Sequence, residues 1–354
     1  MSKENLQKLF QGFVEKNQLP KAIISIEKGN GQEVAQFEHG PMTDQTPFLL
    51  ASVTKMWVTT LILQLIDQGK ISYNNIVTDF IEKEKLSQLN HYMGKDQTQY
   101  ITIKDLLFQR SGLANIFFEE PIYLRQKIAE ADFSYTFDDM LDWVRQSDAH
   151  FLPSSDQAHY ADINFMLLGE IIEKIHHLSL DDCIDRFIME PLGLNRSYLV
   201  SSEYGMIPPL YTGKDYLYRP KIVASAQGAG GGVSTTADTM TFIRAFIQGD
   251  LFNKDHWQEM QDYYPLQGDY APVEYGGGHM KLSLGQFNKE ARLSFIGHSG
   301  ISGAFAFYCP QLDVYLAGTT DNVGKSELCI QLIYLMLFEL EKEELANQGG
   351  KYDG

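Results

Sequence analysis

The first forty residues alternate between two hydrophobic patterns. Apolar residues between positions 3 and 17, such as Leu6, Phe10 and Phe13, recur at helical spacing and predict an amphipathic surface helix. Residues 21–40 read KAIISIEKGNGQEVAQFEHG, two strand-like runs joined by a glycine-rich turn. Such a pair is typical of a β-hairpin.

Helical patterns dominate the middle of the chain, and strand patterns return near its end. Helices are predicted over residues 52–68, 102–109, 137–146 and 163–177. Strand-like runs follow at 280–285, 293–300, 303–310 and 314–321, before a long helix over 326–346 and a glycine-rich tail, 349–354, that is predicted to fray. Because strands occur at both ends around a helical middle, the pattern predicts an α+β fold, in which N- and C-terminal helices flank one antiparallel sheet and an all-helical insertion lies beside it.

This pattern divides the chain into two regions of one compact unit. We assign residues 1–51 and 221–354 to the sheet region and 52–220 to the mainly helical region. The length of 354 residues, 44% of them apolar, is enough for a large core.

Composition and charge narrow the range of possible functions. With 46 acidic and 29 basic residues, the chain has a net charge of -17, which argues against binding to nucleic acid or to an anionic membrane. The apolar stretches fall short of the ~20 residues of a membrane span, and the first residues lack the layout of a signal peptide, so a cytoplasmic protein is expected. Three widely spaced cysteines predict buried free thiols rather than disulfides or a metal site.

The helix predicted at 52–68 begins with an unexpected charge. From Met56 to Ile66 its apolar residues cover every face, as in a helix surrounded by protein, yet Lys55 stands in its first turn. On a helix, a lysine three residues after a serine lies on the same face, so the Lys55 ammonium can reach the Ser52 hydroxyl. Lys55 can then accept a proton or act as a fixed positive charge. The alternative is that Ser52 only caps the helix.

Two further segments carry polar residues that suit a cleft. Tyr160 directly precedes an apolar helix, and Asp162 stands where that helix should be capped, which would be its simplest role. His298, Ser299 and Gly300 lie in a predicted strand, where a glycine is unfavourable unless a ligand must approach the backbone closely. The alternative for His298 is a purely structural histidine.

The serine-lysine spacing and the tyrosine also occur at a second place each, where the expected local structure does not suit an active site. Ser25 and Lys28 repeat the serine-lysine spacing in a predicted strand, where their side chains point to opposite faces. Tyr73 is followed by two asparagines in a polar stretch that is more typical of a turn.

In this order, the three segments resemble the motifs of the penicillin-recognising serine hydrolases. The closest resemblance is to the branch with class C β-lactamases, D-alanyl-D-alanine carboxypeptidases, D-aminopeptidases and β-lactamase-like esterases. Residues 46–55, 101–113, 188–197 and 228–246 also resemble family segments in their expected places. The resemblance covers nearly the whole chain and implies a β-lactamase/transpeptidase-like fold, with an active site in the cleft between the sheet and the helices.

The resemblance also implies roles for individual residues. Ser52 would be the nucleophile that forms an acyl-enzyme, and Lys55, facing a polar cleft, would lower the pKa of the hydroxyls around it. Tyr160 would take the serine proton and pass it to the leaving group. The backbone amides of Ser52 and Ile301 would form the oxyanion hole, and the glycine run 228–232 would pass close by.

Asp162, His298, Ser299 and Gly300 would bind the substrate, and two of them depart from the common family pattern. Asp162 stands where an asparagine is usual. His298 stands where a lysine is usual in β-lactamases, although a histidine is common in the esterase-like relatives. An ionised carboxylate can only accept hydrogen bonds, and a neutral imidazole lacks the charge of lysine. Both changes favour short neutral esters, or substrates with a free amine, over β-lactams and D-alanyl peptides, so poor β-lactamase and carboxypeptidase activity is expected.

The sequence therefore predicts a serine hydrolase of small esters, amides or peptides, without cofactor or metal, as a monomer or weak homo-oligomer. An α/β-hydrolase is not expected, because the chain has no Gly-x-Ser-x-Gly motif, nor is a metallohydrolase, because it has no His-Glu-x-x-His motif. The alternative from another class is a catalytically idle relative that binds a peptide or senses a ligand.

Overall fold

A computed structural model describes residues 3–202, 205–268, 272–284 and 293–349, so residues 350–354 of the tail predicted to fray lie outside it. The helices are α1 Lys3–Asn17, α2 Lys55–Asp67, α3 Lys83–Leu86, α4 Ile103–Leu107, α5 Leu124–Glu130, α6 Phe137–Val144, α7 Ile163–His176, α8 Leu180–Ile184, α9 Glu190–Leu192, α10 Pro220–Gly230, α11 Thr236–Gln248, α12 Trp257–Met260 and α13 Leu328–Gly349. The strands are β1 Ala22–Lys28, β2 Glu33–His39, β3 Phe48–Leu49, β4 His91–Tyr92, β5 Lys95–Asp96, β6 Tyr198–Leu199, β7 Leu210–Tyr211, β8 Tyr216–Leu217, β9 Gly232–Ser234, β10 Tyr264–Pro265, β11 Glu274–Tyr275, β12 Met280–Leu284, β13 Leu293–Ser299, β14 Ala304–Cys309 and β15 Val314–Thr319.

The main sheet joins the two ends of the chain, as the hydrophobic pattern predicts. Its eight strands lie in the order β10-β11-β12-β13-β14-β15-β1-β2, and all neighbours are antiparallel. β1 and β2 form the predicted hairpin, in which Ile24 pairs with Phe37. The predicted α+β fold is confirmed, with the late strand-like runs as its central strands.

Helices from both ends of the chain cover this sheet. α1 contacts both β2 and α13, and in α13 the ring of Tyr334 lies 5.3 Å from that of Phe295 in β13. α11 contacts β14 and β15. Every residue of β15 is buried, which is typical of a strand covered on both faces. None of the helices in the described ranges combines the length and hydropathy that crossing a membrane needs.

A small second sheet, which the hydrophobic pattern does not predict, connects the two regions. β9 lies between β3 and β6, so that Leu49 pairs with Val233, and Val233 with Tyr198. Strands of two or three residues are too short to show a recognisable alternation. This sheet holds the chain just before Ser52 against the end of the glycine run.

Helix ends near the predicted site differ from the expected bounds. Ser52 lies in a 3₁₀ turn, Ala51–Thr54, and α2 begins only at Lys55. α4 ends at Leu107, because Gln109 takes a left-handed conformation with φ of 57°. The three cysteines, Cys183, Cys309 and Cys329, are buried free thiols, as predicted.

Candidate active site

The ammonium of Lys55 is fully buried and has three acceptors. Its Nζ lies 3.1 Å from Ser52 Oγ, 2.7 Å from Asp162 Oδ1 and 2.6 Å from the carbonyl oxygen of Ala229. An ammonium has three N–H groups, so each acceptor can receive one. The predicted contact with Ser52 is confirmed. Lys55 itself is fully buried, and its polar neighbours Ser52 and Asp162 are half-buried.

Burial and Asp162 act in opposite directions on the pKa of Lys55. Burial lowers the pKa, while the charge and hydrogen bond of Asp162 raise it, and burial prevails. The carboxylate of Asp162, with 24% of its side chain exposed, reaches both the buried lysine and the cleft.

Neither predicted helix cap exists. Asp162 occupies the N-cap position of α7, but its side chain makes no capping hydrogen bond and pairs with Lys55 instead. Ser52 sits inside the 3₁₀ turn, whose N-cap position belongs to Leu50. The structure therefore leaves both side chains available for the site.

Tyr160 approaches the Ser52 hydroxyl from a second side. Its hydroxyl lies close enough to Ser52 to affect its own pKa, and its ring centre lies 5.1 Å from Lys55 Nζ. Burial raises the pKa of Tyr160 well above its usual value, and the charge of Asp162 adds to this, while the nearby hydroxyl of Ser52 opposes it. Tyr160 is therefore a neutral phenol at rest.

Gln109, to which the sequence analysis assigns no role, holds the segment that carries Tyr160. Its side-chain oxygen accepts a hydrogen bond from the backbone amide of Ala161 at 2.9 Å, and its carbonyl oxygen accepts one from the amide of His159 at 2.8 Å. Both neighbours of Tyr160 are thus fixed by one buried residue. The only hint in the sequence is that Gln109 lies in residues 101–113, one of the stretches that resemble the family.

His298 is buried, and both of its ring nitrogens are engaged. Nδ1 lies 2.7 Å from the carbonyl oxygen of Ser299, and Nε2 lies 3.2 Å from the hydroxyl of Tyr275. Because a carbonyl can only accept, Nδ1 carries the hydrogen and Nε2 accepts from Tyr275. Burial, helped by the charge of Lys55, lowers the pKa of His298 to about 3, so the ring is neutral near pH 7.

Tyr275 was not predicted as a site residue, since the sequence offers no signal for it. Its ring centre lies 5.9 Å from that of Tyr160, in an edge-to-face arrangement. Tyr275 therefore connects the strand that carries His298 to the residue beside the nucleophile.

Glycines allow the strand and the glycine run to approach the nucleophile turn. A Cβ atom on Gly300 would lie 2.2 Å from the carbonyl oxygen of Leu50, and one on Gly228 would lie 2.8 Å from Val58. The amide of Gly232 donates to Thr54 Oγ1 at 3.0 Å. The predicted proximity of the 228–232 run is confirmed.

The structure brings together Ser52, Lys55, Tyr160 and Asp162, and it places the turn that follows His298 beside them. Ser52, Asp162 and Ser299 are half-buried, whereas Lys55, Tyr160 and His298 lie behind them. The oxyanion hole, formed by the backbone amides of Ser52 and Ile301, and the contacts of Ser299 and Gly300 with a substrate stay predictions.

Several known proteins are similar to this chain in sequence or in fold. A Salmonella paratyphi A protein, provisionally named D-alanyl-D-alanine carboxypeptidase, is 32% identical over 168 residues, which cover 47% of this chain and 37% of that protein. A D-stereospecific amidohydrolase from Streptomyces sp. has a similar fold, with a TM-score of 0.73 at 23% identity over 92% of this chain and 97% of that one.

The fold is also similar to that of a D-amino acid amidase from Ochrobactrum anthropi SV3, with a TM-score of 0.76 at 18% identity over 96% of this chain and 99% of that one. At these identities the structural likeness shows the fold alone. The sequence model of the family described as Beta-lactamase matches residues 6–332, more than nine-tenths of the 354 residues. The chain therefore belongs to the beta-lactamase family.

Proposed function

We propose that the protein is a serine hydrolase that acts through an acyl-enzyme on small esters or amides. The observation that supports this most is the position of the Ser52 hydroxyl, which lies 3.1 Å from Lys55 Nζ and close to Tyr160. A serine hydroxyl is a weak nucleophile unless an adjacent group can take its proton. Here a lysine with a lowered pKa is in direct contact.

The protonation state of Lys55 decides what it does to Ser52. As an ammonium, it donates to Ser52, Asp162 and Ala229. As a neutral amine, it has two N–H groups, which the two acceptor-only oxygens can take, so its lone pair is left facing Ser52. The buried, neutral Tyr160 is a poorer first acceptor. The pKa directions thus favour Lys55, rather than the Tyr160 of the sequence prediction, as the group that receives the serine proton.

These groups support a cycle in which every proton is accounted for. Ser52 Oγ attacks the substrate carbonyl and its proton moves to Lys55, while Tyr160 protonates the leaving group. Water then attacks the acyl-enzyme and gives a proton to the Tyr160 phenolate, and the ammonium of Lys55 returns a proton to Ser52 Oγ as that bond breaks. Backbone amides of Ser52 and Ile301 would stabilise the oxyanion by about 3 kcal/mol each.

The polar groups of the cleft favour substrates without a carboxylate. A neutral His298 offers no positive charge, and Asp162 presents an acceptor where an amide carbonyl would need a donor. We therefore propose small neutral esters, or substrates with a free amine that Asp162 can bind. The names of the relatives add D-alanyl peptides and D-amino acid amides to the compounds worth testing.

The competing function is an idle binding protein, and labelling of the serine separates the two. A fluorophosphonate probe should add one covalent adduct to the intact protein, seen by mass spectrometry. A chain that hydrolyses none of the esters and amides above and gains no adduct would be a binder.

Asp162→Asn should change substrate preference. Asparagine keeps an oxygen for Lys55 and adds an N–H donor on the half-exposed side, where an acyl-side-chain carbonyl would lie. We expect kcat/KM for a chromogenic cephalosporin to rise about tenfold relative to p-nitrophenyl butyrate, since one unsatisfied buried polar group costs ~1–3 kcal/mol. An unchanged ratio, or a wild-type protein that already prefers the cephalosporin, would contradict the proposed preference.

The same substitution should also move the pH profile. Removing the carboxylate removes the charge that raises the pKa of Lys55, so this pKa falls further. If the neutral amine is the active form, it is present above the pKa, and the acidic limb of kcat/KM for p-nitrophenyl butyrate shifts to lower pH. A shift of the basic limb instead would show that the ammonium is the active form.

A further inference from the structure

A second group of polar side chains includes His159, the residue before Tyr160, and has no role in the proposed hydrolysis. Glu119 Oε2 lies 2.9 Å from His150 Nε2, and Glu119 Oε1 lies 2.6 Å from His159 Nε2. One ligand atom of each residue can be chosen so that all three lie within 4.8 Å of one another. Two imidazoles therefore face the two oxygens of one carboxylate.

The backbone holds this group, which we call the Glu119 cluster, in place. The amide of His150 donates to the carbonyl oxygen of Gly112 at 2.8 Å, and the amide of His159 donates to that of Gln109 at 2.8 Å. The amide of Glu119 donates to the carbonyl oxygen of Asn115 at 3.0 Å. The backbones of Glu119, His150 and His159 are thus all held by residues 109–115. This lowers the entropy cost of ordering the three side chains around a ligand.

The imidazole rings already have an arrangement that one ion could bridge. Their centres are 3.8 Å apart with 32° between their planes, and both Nε2 atoms point to the same carboxylate. The side chain of His150 is 36% exposed and that of His159 is 13% exposed, so solvent reaches the cluster from one side.

The carboxylate of Glu119 is accessible to an ion, since 28% of its side chain is exposed. The net charge of -17 also favours the approach of a cation over that of an anion.

We propose that the Glu119 cluster binds a divalent transition metal of the zinc class. Two imidazole nitrogens and one carboxylate oxygen form a donor set that zinc uses in proteins, with metal-ligand distances of about 2.0 to 2.2 Å. Binding requires the hydrogen of each imidazole to reside on Nδ1, so that Nε2 presents its lone pair. Water at the exposed side completes the coordination.

The position of the cluster indicates what the metal does. His159 directly precedes Tyr160, and the metal would tie this residue to Glu119 and His150, which come from two other segments of the chain. A bound ion would therefore restrain the segment that carries Tyr160. The site itself does not depend on the hydrolase proposal, because none of its ligands is a residue to which that proposal assigns a role.

Metal binding is tested on the full, untagged chain with zinc and with cobalt. We expect one zinc ion per chain by elemental analysis after dialysis, a rise in Tm on adding zinc, and visible absorption of the cobalt form typical of nitrogen and oxygen ligands. Glu119→Gln and His150→Ala should each weaken zinc binding by more than about 100-fold, since loss of an outer partner alone costs about 10- to 100-fold. Glu119→Gln keeps the shape and one acceptor, so it should fold.

The control is His91→Ala. His91 is 39% exposed and pairs with the carboxylate of Asp148 at 3.0 Å, so it resembles His150 without the third ligand. Zinc affinity should be unchanged in His91→Ala and in Ser52→Ala, which separates the metal site from catalysis. No saturable zinc binding by the wild-type chain, or binding that survives both Glu119→Gln and His150→Ala, would show that the cluster is only a hydrogen-bonded clamp.

Discussion

Ser52→Ala should lower kcat for p-nitrophenyl esters by roughly 10⁴- to 10⁶-fold, the loss seen when members of other catalytic triads are removed. The substitution removes the only atom that can form the acyl-enzyme in the proposed cycle. It should also abolish labelling by the fluorophosphonate probe. The fold should survive, because Lys55 keeps Asp162 and Ala229 as partners and one hydrogen bond contributes only about 1 kcal/mol to stability.

The matched control for Ser52 is Ser25→Ala, since Ser25 and Lys28 share the same spacing. The structure places them in β1, where Lys28 Nζ donates to the carbonyl oxygen of Leu312. We expect neither kcat nor labelling to change in this variant. Equal losses from both substitutions, or labelling that persists in Ser52→Ala, would show that Ser52 is not the nucleophile.

Features that depend on local pattern were predictable from the sequence. The hairpin, the strands β12 to β15 and the helix α7 follow from apolar periodicity, which reports burial over a few consecutive residues. The contact between Ser52 and Lys55 follows from their separation of three residues on one turn of helical backbone. For such pairs, the backbone conformation alone sets the distance.

Contacts between distant residues were not predictable in the same way. Asp162 lies 107 residues from Lys55, and an aspartate just before a helix ordinarily caps it. Packing of α2 against α7 brings the buried ammonium within 2.7 Å instead, and a charge-assisted hydrogen bond is stronger than a neutral one. Asp162 therefore pairs with the buried ammonium of Lys55 instead of capping its own helix, as the sequence favoured.

The Glu119 cluster shows the same limit. His150 and His159 lie 31 and 40 residues from Glu119, so the three residues form no short sequence motif. Their proximity follows from the backbone hydrogen bonds to Gly112 and Gln109. The left-handed conformation of Gln109 cannot be predicted from a pattern of apolar residues. Sequence motifs find sites whose ligands share one element, and this cluster does not.

Tyr160→Phe and Lys55→Ala should each reduce kcat about as much as the double substitution does. Both residues contact Ser52 in the site, and the proposed cycle passes a proton through each of them in turn. When residues act as one unit, removing either one already stops the step that both serve, so the effects are strongly non-additive. The measurement is a double-mutant cycle on kcat and kcat/KM with p-nitrophenyl butyrate.

Two further variants serve as controls for this double-mutant cycle. Lys55→Ala leaves a buried space and takes one hydrogen-bond partner from Asp162 and from Ala229, which could destabilise the fold. Lys55→Met fills the volume without a charge, so it separates the loss of proton transfer from the loss of stability. Tyr73→Phe is the control for Tyr160, because the Tyr73 hydroxyl bonds to His256 at 2.9 Å rather than to Ser52. Its kcat should equal that of the wild type. If the losses from Tyr160→Phe and Lys55→Met in folded protein simply multiply in the double variant, the two residues act independently and the shared proton path is wrong.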